Sequence, residues 1–265
     1  MKKKLVAISL VVAMLAVAVI GGSLAYFTDT ANATNTFTAG GVKIALIEQE
    51  RDGKGGLQAF TQDKVLMPIV GSAQGEKDEL GQPVAKNYID KIVTIENTGK
   101  SAAWVRAYYA VPSALDDGYE TFNAGANILH GNFGNYFAED GTLNTTYENQ
   151  WKWKHEGKWN YFETTIDGVA YNVYFADYYK ALPAGQTTEQ FISGVYLDSH
   201  VNMVNGEYVD TRFPNADLSI LKGTVKYPVY AVAVQADGFD SAAAAIDAAF
   251  GAQYNPFGGT VTNWQ

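Results

Sequence analysis

Because the sequence of 265 residues contains no cysteine, it excludes disulfide bonds, thiolate metal sites and cysteine nucleophiles. Small secreted domains often depend on disulfides, but a chain of this length can bury a sufficient core without them. The chain contains only 7 proline and 3 histidine residues. We expect stability to come from side-chain packing and from hydrogen bonds between strands.

Recognisable catalytic motifs are also missing. None of His130, His155 and His200 belongs to H-E-x-x-H, the arrangement that places two imidazoles and a general base on one helical face. Trp159 stands where the second histidine would have to follow His155. There is no G-x-S-x-G elbow, no D-x-D-x-D-G calcium loop and no phosphate-binding glycine loop. We therefore predict neither enzyme activity nor a cofactor.

Acidic residues outnumber basic ones, with 28 Asp and Glu against 19 Lys and Arg. The net charge is −9, and removal of the three lysines at the start of the chain would make it −12. A surface of this sign repels nucleic acid and anionic lipid. Of the many carboxylates, Asp198, Asp210 and Asp217 are the candidates for a loop calcium site, although no spacing favours them.

The first residues have the pattern of a secretory signal peptide. Lysines at positions 2–4 precede an apolar run over residues 5–20, and small residues follow over 21–25. A membrane anchor is the alternative, but a spanning helix needs about 20 apolar residues and this run is shorter. We predict cleavage after residue 25. The residues of the cleavage region are Ser23, Ala25, Tyr26 and Phe27.

Aromatic residues make up 13% of the chain and glycine contributes 26 residues, which together favour strands joined by tight turns. A strand is predicted at 38–47, with a bend at 40–41. Hairpins are predicted from 88–96 and 102–111 around an Asn-Thr-Gly turn, within 147–162, and around Asp167-Gly168. Further strands are predicted at 191–197, 225–235 and 260–262.

Two short helices complete the prediction. One lies within 116–135, where Phe122, Ala126 and Leu129 have helical spacing, and the other lies over 241–250, where Asp240 is the expected cap. Many short strands with few helices predict a mainly β, antiparallel β-sandwich. We expect one such domain over residues 39–265.

Three tryptophans are grouped in the hairpin predicted within 147–162. Trp151 and Trp153 alternate with lysines, and Trp159 lies across the turn. Flat aromatic rings with neighbouring lysines can stack on sugars, so this group is a candidate polysaccharide-binding site. The commoner alternative is cross-strand aromatic pairing that stabilises the sheet.

Distinctive motifs follow the apolar run: G-G-S-L-A-Y-F-T-D-T at 21–30, N-T-F-T-A-G at 35–40 and the alternating residues 42–46, with compatible patches at 93–106 and 229–250. With these motifs the chain resembles the TasA and camelysin family of exported Gram-positive proteins. The resemblance implies cleavage by a signal peptidase of the SipW type, a jelly-roll sandwich, and a first strand opened by F-x-A-G. Because camelysin is catalogued as a metallopeptidase, it also implies a cell-surface metallopeptidase as an alternative.

Residues 26–38 form the segment freed by this cleavage. The segment is rich in Thr and Asn, is punctuated by Phe27 and Phe37, and has no clear partner in its own sequence neighbourhood. We expect it to act as a donor strand that pairs with a sheet edge of another copy, as the resemblance implies. The residues of this assembly segment are Phe27, Thr28, Asp29 and Phe37.

The leading hypothesis is therefore a secreted structural protein, a fibre subunit in a biofilm matrix or on the surface of a Gram-positive bacterium. Its expected partners are further copies of itself, the SipW-type signal peptidase and matrix polysaccharide. The alternatives are a camelysin-like metallopeptidase and a monomeric glycan-binding module that uses Trp151, Trp153 and Trp159.

Overall fold

The computed structural model describes residues 28–32, 35–38, 41–73, 77, 83–118, 127–133 and 150–265. These residues form mainly antiparallel strands in two larger sheets, which confirms the predicted fold class. The sheets pack face to face in the manner of a sandwich. The jelly-roll refinement stays a prediction.

The strands of the first half of the chain are β1 (Thr28–Asn32), β2 (Asn35–Thr38), β3 (Ile44–Arg51), β4 (Leu57–Ala59), β5 (Ile89–Asn97), β6 (Ala103–Pro112) and β7 (Leu129–Asn132). Those of the second half are β8 (Trp151–Lys152), β9 (Lys154–His155), β10 (Lys158–Trp159), β11 (Tyr161–Ile166), β12 (Val169–Tyr178), β13 (Ile192–Leu197), β14 (Val201–Val204), β15 (Glu207–Asp210) and β16 (Val229–Gln235). The helical elements are 3-10 turns at Ser113–Leu115 and Ser219–Lys222 and the α-helix α1 at Ala242–Phe250.

The larger sheet has seven strands in the order β11-β12-β6-β16-β1-β2, and β8 also pairs with β12. The smaller has five strands in the order β4-β3-β5-β13-β7. Two short hairpins, β9–β10 and β14–β15, stand outside these sheets. All strand pairs within the two sheets are antiparallel.

The main core lies between the two sheets. Val105, Ala107 and Tyr109 project from alternate positions of β6, and Val93 and Ile95 project from β5. Each is at most 4% exposed, as the period of two of a strand requires when one face is covered. This core supplies the packing that a chain without disulfides needs.

A second core covers the opposite face of the seven-stranded sheet. Tyr108, Phe162 and Phe175 on that face are buried under a layer that begins with Ile246 of α1 and ends with Trp264. Strand β6 is therefore buried on both faces, and its neighbours β12 and β16 contribute to both cores. The five-stranded sheet, the seven-stranded sheet and the layer that contains α1 therefore form three layers.

Helix α1 begins at Ala242, one residue later than predicted. Ser241 is the N-cap, and its hydroxyl accepts a hydrogen bond from the backbone amide of Ala244 at 3.2 Å. Asp240 precedes the cap and does not serve as the cap residue. Gly251 ends the helix with φ +93°, a conformation that favours glycine.

The hairpin predicted from 88–96 and 102–111 is wrong, although both strands exist. β5 lies between β3 and β13 in the smaller sheet, whereas β6 lies between β12 and β16 in the larger one. The turn that joins them crosses from one sheet to the other. Asn97 fixes this crossing, because its side-chain amide donates to the carbonyls of Ser101 (2.9 Å) and Leu182 (2.8 Å).

The hairpin predicted around Asp167-Gly168 is confirmed. Ile166 pairs with Val169, and the two turn residues have φ +51° and +83°. Both angles are positive, as the type I′ turn requires. β12 then continues into the centre of the larger sheet.

Three other local predictions need correction. The strand predicted at 38–47 begins only at Ile44 as β3, whereas the predicted bend is present as a turn at Gly41 with φ +82°. Leu129 lies in β7 rather than in a helix, and residues 119–126 lie outside the described ranges. The hairpin predicted within 147–162 is shorter than expected, because β8 pairs with β12 while β9 and β10 pair with each other.

The predicted signal peptide, residues 1–25, lies outside the described residues, as do Tyr26 and Phe27. Within the described ranges, no helix has the length and apolar character needed to cross a membrane.

Candidate functional site

Strands β1 and β2 pair as a β-hairpin that extends the seven-stranded sheet. β1 runs antiparallel to β16, from the pair Thr28 with Val234 to the pair Asn32 with Tyr230. β2 then pairs with the other side of β1. The segment expected to lack a local partner is therefore paired within its own chain, with a strand that lies far away in sequence.

This hairpin completes the pairing of β16. The opposite side of β16 is occupied by β6, from the pair Val229 with Tyr109 to the pair Gln235 with Ala103. Without the hairpin, β16 would become an edge strand whose backbone donors and acceptors face outward. Such an edge is a template for pairing with another chain.

The chain that follows the hairpin is fixed to the sandwich. The carbonyl of Gly41 accepts hydrogen bonds from the amides of Lys100 (2.8 Å) and Ser101 (3.2 Å). The carbonyl of Lys43 accepts from the amide of Gly99 at 2.9 Å. Next along the chain, Val42 and Ile44 are fully buried. We call residues 41–43 the anchor, since they hold the exit of the hairpin against the crossing turn between β5 and β6.

The predicted assembly residues fall into one hairpin where the structure describes them. Thr28 and Asp29 lie in β1 opposite Val234 and Ala233, and Phe37 lies in β2 opposite Thr30. Phe27 and the cleavage residues Ser23, Ala25 and Tyr26 lie outside the described ranges. The pairing of β1 with β16 leaves no local signal in the sequence, because the two strands lie far apart along the chain.

The tryptophans do not form one sugar-binding face. Trp151 is fully buried, with ring centroids 5.1 Å from Tyr178 and 5.0 Å from Phe191. Trp153 is half-buried and stacks on Phe191 at 5.1 Å with an interplanar angle of 12°. Trp151 therefore cannot stack on a sugar at the surface, and the aromatic-packing alternative describes both residues.

Trp159 is partly buried and packs against the main core. It lies in the short β9–β10 hairpin opposite Lys154, whose ammonium nitrogen is 4.5 Å from the centroid of its ring. This geometry is a cation–π contact between neighbouring strands. The turn of this hairpin contains Glu156 and Gly157, both with positive φ.

Two of the three histidines meet at one carboxylate. His130 Nε2 lies 2.9 Å from one oxygen of Asp198, and His200 Nδ1 lies 2.8 Å from the other. Arg212 adds an ion pair to Asp198 at 3.1 Å and a second to Asp210 at 2.7 Å. Burial raises the pKa of Asp198, but the hydrogen bonds from the two histidines and the charge of Arg212 outweigh it and hold that pKa well below its usual range.

This cluster does not fit a metal centre. The oxygens of Asp198 and Asp210 are already bound by cationic or hydrogen-bonding side chains, and Asp217 accepts a bond from the amide of Ser219 at 3.0 Å. In the part of the chain that the structure describes, no group of three or more His, Asp or Glu side chains is arranged to hold a metal ion. The signal for the cluster in the sequence is Asp198-x-His200, a turn in which the carboxylate accepts the amide of His200 at 2.8 Å.

A cleft of about 850 Å³ is lined by residues of β3, β5, β13 and β16 and by the chain just before β16. Its walls combine aromatic rings, including Phe60 and Tyr208, with the ammonium groups of Lys64 and Lys91. Lys91 is paired with Glu48 at 2.6 Å, so much of this charge is neutralised. The cleft has the size of a small-molecule site, and its lining does not select one ligand class.

Residues 1–50 match the family described as camelysin metallo-endopeptidase. Over these residues the chain is similar to the camelysin family. The resemblance to the TasA and camelysin family is thereby confirmed, and the matched residues include the β1–β2 hairpin and the anchor. All three histidines lie outside the camelysin match. No curated protein and no solved structure matches the chain.

Proposed function

We propose that the mature chain is a secreted structural subunit that forms extracellular fibres by exchanging its β1–β2 hairpin between copies. The observation that carries the proposal is the pairing of β1 with β16, from Thr28 opposite Val234 to Asn32 opposite Tyr230. This hairpin lies directly after the predicted cleavage site and fills an edge that every other copy also possesses.

Exchange conserves the hydrogen bonds of the sheet. In the closed form, β1 pairs with β16 of its own chain, and in the exchanged form it pairs with β16 of a neighbour in the same register. The backbone bonds have the same number and type in both forms, so little free energy separates them apart from the cost of association. A head-to-tail exchange that does not close into a ring propagates into a filament.

The anchor determines where exchange would pivot. Because the carbonyls of Gly41 and Lys43 are bonded to the crossing turn, residues from Gly41 onward stay with the body of the subunit. Exchange would therefore transfer β1 and β2 together. Only two residues separate Thr38 from the anchor, and short connections of this kind favour swapping between copies.

The proposal includes the export route. The predicted leader would hold the precursor at the membrane until a signal peptidase of the SipW type removes residues 1–25. Assembly would then take place outside the cell, in a biofilm matrix or on the surface of a Gram-positive bacterium, with matrix polysaccharide as an additional partner. The family match over residues 1–50 supports this proposal, because it spans both the leader and the hairpin.

A cysteine crosslink tests the exchange directly, because the natural chain has no cysteine. The double variant Ala31→Cys with Ala231→Cys places thiols at paired positions of β1 and β16. After oxidation of assembled material, exchange predicts disulfides between chains, seen as a ladder of multimers in a non-reducing gel. Oxidation before assembly should give disulfides within one chain and should block filament growth.

The matched control is Thr165→Cys with Ala170→Cys, a pair on neighbouring strands β11 and β12. Its disulfide should lie within one chain in every state. A mature protein that remains monomeric, or filaments in which the Ala31→Cys and Ala231→Cys crosslink stays within each chain, would refute the proposal.

The metallopeptidase alternative comes from the description of the matched family. The matched residues contain no histidine, and the described His130–Asp198–His200 cluster has its carboxylate occupied by Arg212. Casein hydrolysis that a chelator abolishes, and that the single variant His130→Ala or His200→Ala also abolishes, would favour the peptidase. Filament formation by a preparation without such hydrolysis would favour the structural role.

A further inference from the structure

The second edge of the seven-stranded sheet, along β11, is paired with residues from much later in the chain. Glu163 and Thr262 exchange two backbone hydrogen bonds, of 2.8 and 2.9 Å. The amide of Gln265 donates to the carbonyl of Tyr161 at 3.0 Å. We call residues 258–265 the closing segment, because they occupy the side of β11 that faces away from β12.

An aromatic side chain fixes the closing segment to the sheet. The indole of Trp264 stacks on Phe162 with centroids 4.9 Å apart and planes at 11°, and it lies 5.4 Å from the ring of Phe175. Both phenylalanines belong to the second core and are at most 4% exposed. The backbone bridge is therefore supported by packing that a loosely placed segment would lack.

The approach of the segment to β11 is close enough to require glycine. Gly259 has φ +80°, and a β-carbon at this position would lie 2.5 Å from the carbonyl oxygen of Thr165. The hydroxyl of Thr164 donates to the carbonyl of Gly258 at 3.0 Å. Gly258 and Gly259 thus lay the backbone directly against the strand before the bridge at Thr262.

Without the closing segment, β11 would present an open edge beside β12. The backbone groups of Tyr161 and Glu163 that now bond to Gln265 and Thr262 would be free to pair with another strand. β11 is six residues long, which is enough to template strand addition. The seven-stranded sheet would then have an edge open to strand addition along β11 as well as the one that the β1–β2 hairpin fills.

We propose that the closing segment is an edge cap that prevents a second copy of this chain from adding to β11. Strand exchange is thereby confined to the β16 side of the sheet, and subunits join in a single line rather than side by side. This inference builds on the proposed exchange of the hairpin, but the capping of β11 can be tested whether or not filaments form.

The test compares the mature chain with the double variant Thr262→Pro and Trp264→Ala. Proline removes the amide that bonds to Glu163, and alanine removes the stacking on Phe162. The expected result is lateral association, seen by electron microscopy as wider or ribbon-like filaments. At concentrations below assembly, sedimentation should show at least a doubling of particle mass.

Two further variants keep the result interpretable. Thr262→Pro alone retains Trp264 and should associate laterally to a smaller degree, which covers the case in which the double variant does not fold. Asn263→Gly removes the side-chain bond to Glu163 (2.9 Å), tolerates the φ of +49° at this position and should behave like the natural chain. Circular dichroism verifies the fold of each variant.

Addition of a peptide with the sequence of residues 258–265 should reverse the lateral association, because it can reoccupy the edge of β11. A folded Thr262→Pro variant with unchanged particle mass and filament width would overturn the edge cap. Association that excess peptide does not reverse would also overturn it, since it would reflect general exposure of apolar surface. If the natural chain forms no filaments, hairpin exchange fails, and the particle mass alone decides whether β11 is capped.

Discussion

Gly99 approaches Gly41 so closely that a β-carbon on Gly99 would lie 2.5 Å from the Gly41 carbonyl oxygen. The same atom would lie 2.7 Å from the amide nitrogen of Lys43. Both neighbours are backbone atoms of the anchor, so neither can move aside as a flexible side chain would. Gly99 in the crossing turn and the exit of the β1–β2 hairpin are thus fitted closely to each other.

The first prediction is that Gly99→Ala weakens the anchor. The added methyl group must push the backbone at Gly41 and Lys43 away, which should lower the free energy of unfolding by about 1–3 kcal/mol. Urea denaturation of the monomer measures this loss. Gly223→Ala is the control, because the nearest atom to its β-carbon is 3.8 Å away and its φ is −111°. Equal stability of the two variants would contradict the close fit between Gly99 and the anchor.

The second prediction concerns the ion pairs of Arg106 beneath helix α1. Arg106 makes two bonds to Asp177, of 2.6 and 3.1 Å, and one of 3.2 Å to Asp247. Burial opposes the charge of Arg106, but the charge and hydrogen bonds of Asp177 outweigh it and raise the pKa of Arg106. Asp177→Ala would leave a buried guanidinium with one partner, at a cost of about 3–5 kcal/mol.

Asp247→Ala is the matched comparison, since it removes the other partner of Arg106. The side chain of Asp247 is 40% exposed, so its loss should cost no more than about 1 kcal/mol. Chemical denaturation of both variants gives the comparison. A larger loss for Asp247→Ala than for Asp177→Ala would show that the contact with the helix, rather than the buried pair, stabilises this layer.

The third prediction is that Glu50 makes the stability of the folded chain depend on pH in the acidic range. Burial raises the pKa of this carboxyl, but hydrogen bonds from Lys64, Thr61 and Gln58 outweigh it and lower the pKa to about 2 from its ordinary value of 4.5. Because the folded-state pKa is depressed, the stabilisation is complete above pH 4.5 and is lost as the pH falls toward 2. Thermal denaturation between pH 7 and 2 should show this loss.

Glu50→Gln should flatten that part of the profile, because an amide does not titrate. The variant should be less stable than the natural chain at pH 7 and close to it at pH 2. Glu156→Gln is the control, since Glu156 has a side chain that is 85% exposed and should leave the profile unchanged. An acid profile that Glu50→Gln does not alter would assign the loss to other carboxyls.

The fourth prediction compares the loss of stability on removing the fully buried Trp151 with the loss on removing the partly buried Trp159. Trp151→Ala should lower the free energy of unfolding by about 3–5 kcal/mol, because it leaves a cavity beside Tyr178 and Phe191. Trp159→Ala removes a cation–π contact with Lys154 and the packing of a partly buried ring against the main core, and should cost about 1–2 kcal/mol. Comparable losses for the two variants would contradict the assignment of Trp151 to the core.

These contrasts indicate which features could be predicted from the sequence. The Asp167-Gly168 hairpin was predictable because a type I′ turn is decided by two adjacent residues with positive φ. The helix at Ala242–Phe250 was predictable to within one residue of its cap for a similar local reason. Both features depend on neighbours in the chain.

The features that failed depend on distant partners. β5 and β6 have the alternation of a hairpin, but β6 is buried on both faces, because the layer formed by α1 and Trp264 covers its second face. Nothing near β6 in sequence reveals that layer. The partner of β1 could not be predicted for the same reason, because β16 lies about 200 residues later in the chain. The burial of Trp151 likewise depends on packing against Phe191.

The last prediction concerns the charge that assembling copies carry. After removal of the predicted leader, each subunit has a net charge of −12, so approaching copies repel each other. Raising the ionic strength from about 10 to 150 mM shortens the screening length from about 30 to 8 Å and should accelerate filament growth several-fold. Light scattering at fixed protein concentration measures the rate.

The control for salt is Ala31→Cys with Ala231→Cys oxidised before assembly, which should stay unassembled at every ionic strength. If salt accelerates growth in this locked variant as well, the filaments do not depend on release of the hairpin from β16. Growth of the natural chain that slows as salt is added would mean that attraction between opposite charges, rather than strand exchange against a net repulsion, brings the subunits together.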